Sequence, residues 1–325
     1  KKEDDFVSSK RWIALVIAIA LFFVSIVYQF GVSFSQEETG LVDTKGNLFG
    51  EKVIKPGSPI GGGKIAVLNL EGVILDTGEI PFGLAYDHKG FLSLLDRAAN
   101  DPLVDGIIIR VNSPGGGVVE SAEIHDKIVH VKEETGKPVY ISMGNTAASG
   151  GYYISAPADK IFAHAATLTG SIGVIMENIN FSEFADELGI DFNTIKSGEF
   201  KDIMSSTRPM TEEEVAILQT IIDDLYDDFV KVIVDGRGMD EAKVREIGDG
   251  RIYTGRQAYE LNLIDEIGSF DDAITAMEED LGLGDAQVVE YRPGFGFSQL
   301  FGFAAKSFVK NDANWLGLLN AIRDS

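Results

Sequence analysis

The chain has 325 residues, of which 45% are hydrophobic, so it is long enough for one large domain or two small ones with a sizeable core. It contains no cysteine, which excludes disulfides, thiol catalysis and cysteine-ligated zinc. The formal charge of −23, with no Lys/Arg cluster beyond the N-terminus, argues against a nucleic-acid partner and is typical of a solvated, acidic surface.

The first element is an apolar segment, "WIALVIAIALFFVSIVY", which runs from Trp12 to Tyr28 without a charge. A helix of this length just spans a bilayer core of ~30 Å, so we predict one transmembrane anchor over residues 12–30. A Lys-Arg pair precedes the segment and acidic residues follow it, which predicts a cytoplasmic N-terminus (residues 1–11) and a remaining chain on the extracytoplasmic side of the cell membrane. A cleaved signal peptide is less favoured because the segment is long and no A-x-A follows it. A core helix of a soluble domain is the third interpretation.

Residues 31–63 are polar and rich in glycine, which predicts a linker. From Lys64 onward, short apolar runs alternate with stretches of helical spacing. Strands are predicted at 64–74, 104–113, 137–143, 159–164, 171–177 and 286–291, and helices at 91–101, 118–134, 211–236, 255–261 and 270–281. This alternation predicts one α/β domain over 64–292 with a mainly parallel sheet. The tail, 293–325, is rich in glycine and phenylalanine and then amphipathic, and its role is left open.

Two glycine-rich loops follow two of the predicted strands: "NSPGGG" at 112–117 and "AASGG" at 147–151. Sites in parallel α/β sheets form beyond the carboxyl ends of strands, so we expect these two loops to meet. Glycines let a substrate backbone approach closely and leave N–H groups free for an oxyanion. Ser149 lies within the second loop, at the start of a predicted helix, and is therefore a candidate nucleophile.

Other interpretations of these loops are weaker. The G-x-S-x-G elbow of α/β-hydrolases is not matched, because position 147 is alanine. "GGGK" at 61–64 lacks the first glycine and the Ser/Thr of a phosphate-binding loop. Both glycine runs could also be ordinary turns between strand and helix, which spacing alone does not distinguish from a site.

The base that would take the proton of Ser149 is not settled by spacing. Of the four histidines, only His164 ends a strand near a plausible rim, which leaves a Ser-His-Asp triad open without supporting it. Lysine also serves as a base with serine when burial favours its neutral form. Lys196 and Lys201 both lie in a mostly neutral stretch, and composition does not separate them.

Four segments together resemble the signal peptide peptidase A family of membrane-anchored serine peptidases. They are "RVNSPGGGV", "GNTAASGGYYISAPADKIFAHAATLTGSIGV", "SGEFKDIMSSTRPMTEEE" and "GRIYTGRQAYELNLIDEIGSFDDAI", in the family's order between residues 64 and 283. The resemblance implies a Clp/crotonase-like βαβ superhelical domain, in the short form with a single domain, behind the transmembrane helix.

The resemblance also implies a catalytic dyad in which Ser149 is the nucleophile and Lys201 the general base. Gly116 and Gly150 would supply the N–H groups of the oxyanion hole. Ser171, in "TGSIGV", would orient the lysine. The histidine that Clp proteases use has no counterpart in this sequence. No metal or other cofactor is expected.

The implied function is endopeptidase cleavage of hydrophobic peptides, notably signal peptide remnants. The implied partners are those peptides, the membrane, and copies of the same chain in a homo-oligomeric ring such as an octamer, where the lysine could act across a subunit contact. The tail would then form a subunit contact or lie in the substrate groove. A non-catalytic membrane scaffold and a crotonase-like acyl-CoA enzyme are the alternatives; neither would depend on Ser149 and Lys201.

Overall fold

The computed structural model describes residues 39–42, 48–58, 61–77 and 86–293. The predicted anchor, the cytoplasmic segment and the tail beyond residue 293 lie outside the described residues. The chain divides into two compact units, one formed by Lys1–Val53 with Tyr291–Ser325 and the other by Ile54–Glu290.

The first unit contains an antiparallel pair of strands. Strand β1 (Thr39–Val42) pairs with β2 (Leu48–Lys55), with Thr39 opposite Glu51 and Val42 opposite Leu48. The polar, glycine-rich composition of residues 31–63 predicts a linker here. The structure forms strands there, since backbone pairing satisfies the N–H and C=O groups whatever the side chains are.

The second unit contains a largely parallel sheet with the order β10-β3-β4-β5-β6-β9, in which every neighbouring pair is parallel. This confirms the predicted α/β class with a mainly parallel sheet. The strands, with two shorter ones outside that order, are β3 (Lys64–Glu71), β4 (Gly106–Ser113), β5 (Val139–Ala148), β6 (Lys160–Ala163), β7 (Leu168–Gly170), β8 (Ile252–Thr254), β9 (Glu266–Ile267) and β10 (Gln287–Pro293).

Helices connect these strands, and five of the eight that the described residues form begin at a side-chain cap, from Asp87, Thr211, Asp240, Thr254 and Ser269. The helices are α1 (His88–Asn100), α2 (Val118–Thr135), α3 (Gly150–Tyr153), α4 (Ser182–Glu187), α5 (Glu212–Arg237), α6 (Glu241–Ile247), α7 (Gly255–Glu260) and α8 (Phe270–Asp280). The capping box predicted at Thr211 and Glu214 is present at the start of α5.

The strand predicted at 171–177 is wrong. The chain leaves the sheet after Gly170, and Ser171 has a φ of 51°, which ends an extended run. Ile175 is 81% exposed, so its apolar side chain does not face the core of its own chain. Within this segment only Ile172 is buried in the chain.

Strand β5 changes its partner along its length, and this positions the site. Tyr140–Met143 pair with β6, whereas Thr146–Ala148 pair with β7. Strand β7 in turn pairs antiparallel with β8. The last residues of β5 therefore extend past β6, and the chain that follows Ala148 begins at the end of a second, shorter set of strands.

The core lies between the sheet and the helices that cover it, and Ile108 of β4 is fully buried in it. We expect Ile108→Ala to lower the free energy of unfolding by about 2–5 kcal/mol, because it removes buried methylene groups and leaves a cavity. Leu103 is 69% exposed, so Leu103→Ala is the matched control and should cost less than about 0.5 kcal/mol. Equal denaturation midpoints for the two variants in urea would contradict the assigned burial.

Candidate active site

Ser149 is held in a strained backbone conformation directly after β5. Its φ of 52° and ψ of −122° are unusual for a non-glycine residue and cost about 1–3 kcal/mol. Three backbone hydrogen bonds maintain them: Ser149 N–H donates to Gly170 O at 2.8 Å, and the N–H groups of Tyr152 and Tyr153 donate to Ser149 O at 2.8 and 2.9 Å. The residue is the N-cap of α3, yet its side chain makes no capping hydrogen bond. The hydroxyl is thus left available for other chemistry.

The two glycine-rich loops meet at Ser149, as their positions after two parallel strands predict. A Cβ atom on Gly115 would lie 2.8 Å from Ser149 Cβ and 2.6 Å from Gly150 N. A Cβ atom on Gly150 would lie 3.2 Å from Gly116 N. Side chains at these positions would push the loops apart, so the glycines are required by close backbone approach.

Two N–H groups at this junction are available to an acceptor. Ile74 forms a bridge with the first loop, because its N–H donates to Gly115 O at 3.0 Å and its carbonyl accepts from Gly117 N–H at 2.7 Å. The N–H of Gly116, between them, donates to none of the described residues, and neither does the N–H of Gly150. Converging unpaired donors of this kind can stabilise a developing oxyanion.

Ser171 lies beside Ser149. Strands β5 and β7 are parallel, and both end at the pair formed by Ala148 and Gly170. The next residue is Ser149 after β5 and Ser171 after β7. Ser171 also has a positive φ, and its N–H donates to Arg251 O at 2.8 Å. The predicted nucleophile and the residue predicted to orient the lysine thus lie at the ends of adjacent strands.

The two candidate lysines, Lys196 and Lys201, differ in their partners. Lys196 Nζ donates to Asp202 Oδ1 at 2.6 Å and to Glu199 O at 2.7 Å, so its charge is stabilised by a carboxylate. Lys201 is exposed, and its Nζ has neither a hydrogen-bond nor an ion-pair partner among the described residues, Ser149 included. Composition left these two residues undistinguished, whereas the resemblance implies Lys201, and of the two only Lys196 has an ion pair among the described residues.

The histidines give no support to a triad. His164 is exposed, and its Nδ1 accepts from Ala166 N–H at 3.1 Å. His88 is buried beside Glu123, with Nε2 and Oε2 2.6 Å apart, and His125 lies next to a carboxylate of its own helix. Within the described residues, no histidine forms a hydrogen bond with Ser149.

Two buried serines that support the loops were not singled out from the sequence. Ser113 Oγ accepts from Gly115 N–H at 3.0 Å. Ser121 Oγ donates to Gly117 O at 2.8 Å and occupies the space that a side chain on Gly150 would need. Ser113 lies inside the "NSPGGG" motif, which was a usable signal, whereas Ser121 is recognisable only once the loops are seen to meet.

The sequence also did not indicate the ion-pair network that lies beside Lys201. Arg208 bridges Asp202 and Glu214, and Lys196 adds a second contact to Asp202. Hydrogen bonds from Arg208 and Lys196 hold the pKa of the Asp202 carboxyl well below its usual range. The hydrogen bond from Arg208 and the Thr211 N–H lower the pKa of Glu214 to about 2. The carboxyl groups of Asp202 and Glu214 are therefore both ionised at neutral pH.

Among the described residues, no helix is both long and apolar enough to cross a membrane. The same residues contain no group of His, Asp and Glu side chains that could hold a metal ion. The segment predicted as an anchor, residues 12–30, is not among them.

Comparison with known proteins identifies the class. A profile of Peptidase family S49 matches residues 131–284. The chain is 40% identical over 321 residues to an Enterococcus faecium protein named "Putative signal peptide peptidase SppA", covering 96% of this chain and 91% of that protein. It is 45% identical over 197 residues to the Synechocystis "Putative protease slr0021", covering 61% and 69% of the two chains. It is 35% identical over 216 residues to Protease 4 of Haemophilus influenzae, covering 66% of this chain and 34% of that protein.

The chain is a serine peptidase, as the serine at the junction of two donor loops leads one to expect. Within that class it belongs to Peptidase family S49, the family of the signal peptide peptidase SppA and Protease 4 relatives.

The close approach at Gly116 leads to a prediction. A Cβ atom there would lie 1.9 Å from Ile74 O, so Gly116→Ala must displace the loop and its N–H. We expect kcat/KM for peptide hydrolysis to fall at least about tenfold. Gly284→Ala is the matched control, because its Cβ would meet nothing nearer than 3.9 Å, and it should stay within about twofold of wild type. Activity of Gly116→Ala equal to that of the control would show that the loop tolerates the shift.

Proposed function

We propose that the chain is a membrane-anchored serine endopeptidase of Clp/crotonase-like fold, with Ser149 as nucleophile and Lys201 as general base. The observation that carries the proposal is the junction at Ser149. There a hydroxyl without a capping role lies beside two N–H groups, those of Gly116 and Gly150, that donate to none of the described residues. A turn that only connects a strand to a helix does not need an uncapped hydroxyl beside two unpaired N–H groups.

The proposed reaction follows from these parts. Neutral Lys201 takes the proton of Ser149 as Oγ attacks the peptide carbonyl carbon. The N–H groups of Gly116 and Gly150 bind the oxyanion of the tetrahedral intermediate. The C–N bond then breaks, and the departing amine takes the proton from the lysine. Water, deprotonated by the same lysine, attacks the ester carbonyl carbon; the ester C–O bond then breaks, the acyl product leaves as a carboxylic acid, and the lysine returns its proton to Ser149 Oγ.

Assembly would complete this site. A lysine in water is protonated at neutral pH, and burial is what favours its neutral form. Lys201 is exposed in the single chain, and the segment that carries it exposes a series of large apolar side chains: Ile175, Ile179, Phe181, Phe184, Leu188, Ile190, Phe192 and Ile195. We propose that a neighbouring copy covers this segment in a ring, such as an octamer, and that Lys201 acts on the Ser149 of that neighbour, with Ser171 orienting it.

The proposed substrates are hydrophobic peptides, among them signal peptide remnants. Val73 and Leu75 flank the bridge between Ile74 and the first glycine loop, and they are 54% and 43% exposed. Val119, just beyond that loop, is 67% exposed. Apolar side chains next to the oxyanion site favour apolar substrate residues. The name of the Enterococcus relative supports the same substrate class.

The test uses the full chain purified in detergent. We expect it to cleave a leucine-rich, uncharged peptide with kcat/KM at least about tenfold above that for a polar, acidic peptide of equal length. Equal rates would overturn the substrate class. No cleavage of either peptide by the assembled protein would favour the scaffold interpretation.

The proposed orientation has its own measurement. A protease added to intact cells should digest the domain after residue 35 and leave the first eleven residues protected. Digestion only after the cells are lysed would place the domain in the cytoplasm and contradict the proposal.

A further inference from the structure

Arg208 connects the turn that carries Lys201 to the start of helix α5. Its Nε and Nη2 donate to the two carboxylate oxygens of Asp202 at 2.9 and 2.7 Å, and its Nη1 donates to Glu214 Oε2 at 2.8 Å. Nη2 also donates to the second carboxylate oxygen of Glu214. One planar guanidinium thus binds two carboxylates in forked geometry, which a lysine at this position could not reproduce.

The Glu214 end of this connection is rigid. Glu214 is 2% exposed, and its carboxylate also accepts from Thr211 N–H at 2.9 Å within the capping box of α5. Helix α5 is continuous over 26 residues, and its buried side chains near the far end, Phe229, Val230, Val232 and Ile233, attach it to the core, so Glu214 is joined to the core through the helix.

The Asp202 end adjoins Lys201. Arg208 Nη2 also donates to the Asp202 backbone carbonyl at 3.3 Å, and Ser205 N–H donates to the same oxygen at 3.0 Å. No residue from 186 to 213 is buried in the single chain. Polar contacts therefore place this turn: Asn178 and Phe181 bind its Ser205–Ser206 end, and Arg208 connects it to helix α5.

The charges around the turn also depend on Arg208. The neighbouring ionic groups are Glu199, Asp202, Glu214, Lys196 and Arg208. Lys196 and Arg208 together compensate the carboxylate of Asp202. Without Arg208, an undercompensated negative charge would lie one residue from Lys201 and would favour the ammonium form of that lysine.

We infer that Arg208 is a positioning residue for the general base: it fixes Asp202, and with it Lys201, to helix α5, and it neutralises the carboxylate next to the base. This inference rests on the proposed role of Lys201. Arg208 contacts neither Ser149 nor Gly116 and Gly150 in the described structure.

The experiment measures kcat, KM and the pH dependence of kcat/KM for the full chain in detergent. We expect Arg208→Gln to lower kcat about 100-fold with KM within about threefold, because a small misplacement of a catalytic group is costly. The acid limb of the pH profile should move about one unit to higher pH. Arg208→Lys should return the acid limb towards its wild-type position without restoring kcat.

Asp202→Asn should move the acid limb of the pH profile in the direction opposite to that of Arg208→Gln. It also breaks the connection, so kcat should fall, but it removes the negative charge, so the acid limb should move to lower pH. A merely structural loss would lower the active fraction in both variants and move neither limb. If Arg208→Gln does not fold, Asp202→Asn still decides the matter, because an acid limb that stays in place or rises overturns the inference.

Arg245→Gln is the matched control. Arg245 also bridges two carboxylates on different helices, Asp227 and Glu241, and should leave kcat and the pH profile unchanged. Wild-type kcat in Arg208→Gln, in a protein where Lys201→Ala is inactive, would overturn the inference about Arg208 alone. Full activity of Lys201→Ala would instead overturn the proposed base, and the role of Arg208 with it.

Discussion

Replacing Ser149 by alanine is expected to abolish peptide hydrolysis, with kcat reduced at least about 10³-fold. The same variant should not react with a fluorophosphonate, which labels activated serine hydroxyls. Alanine keeps the Cβ atom and therefore the same backbone strain at φ 52°, and the hydroxyl makes no capping bond that would be lost. The thermal midpoint should accordingly stay close to that of wild type.

Ser93→Ala is the control for this experiment. Ser93 lies on α1, half-buried, with no role in the glycine loops, and its variant should hydrolyse and label as wild type does. Labelling of Ser149→Ala at the wild-type rate would show that another residue is the nucleophile. Loss of labelling together with a large fall in thermal midpoint would attribute the effect to unfolding.

Replacing Lys201 by alanine is the second large effect that we expect, with a loss of kcat of similar size. Lys196→Ala should retain most of the activity, because the Nζ of Lys196 is already bound by Asp202 and by the backbone carbonyl of Glu199. Lys243→Ala, on the surface of α6, is the neutral control. A larger loss in Lys196→Ala than in Lys201→Ala would reverse the assignment of the base.

Mixing the two inactive variants tests whether the site is shared between subunits. In a ring where Lys201 serves the neighbouring Ser149, co-expressed Lys201→Ala and Ser149→Ala chains would assemble some contacts with both groups intact. Random mixing gives about a quarter of wild-type sites, so activity should reappear at about that level. If both groups act within one chain, every mixed assembly stays inactive.

The regular elements of the parallel sheet were predictable because each is a local pattern. Strands β3, β4 and β5 are continuous apolar runs, and α5 begins at a capping box that is visible in the sequence. Strands β7 and β8 were not predicted, because each has three residues and they pair across more than eighty positions of sequence. Short pairings of this kind leave no periodic signal.

The candidate site was predictable from the sequence where it follows a local pattern, and not where it depends on contacts between distant residues. Ser149 could be found because glycine runs beyond two parallel strands are a local feature with a known consequence. The choice between Lys196 and Lys201 on the residues alone could not be made, because an ion pair with Asp202 depends on the shape of the turn. Arg208 was missed for the same reason, since nothing in its neighbourhood of sequence marks it as a bridge.

By itself, then, the sequence determined the class of fold, the position of the serine and the glycines around it, and, through resemblance, the family. Backbone conformation and local periodicity are properties of neighbouring residues, so they can be read along the chain. Only the tertiary structure decided which donors are unpaired, which lysine is free of a carboxylate and what holds its turn in place. Those properties depend on distances between residues far apart in sequence, and such distances exist only after the chain has folded.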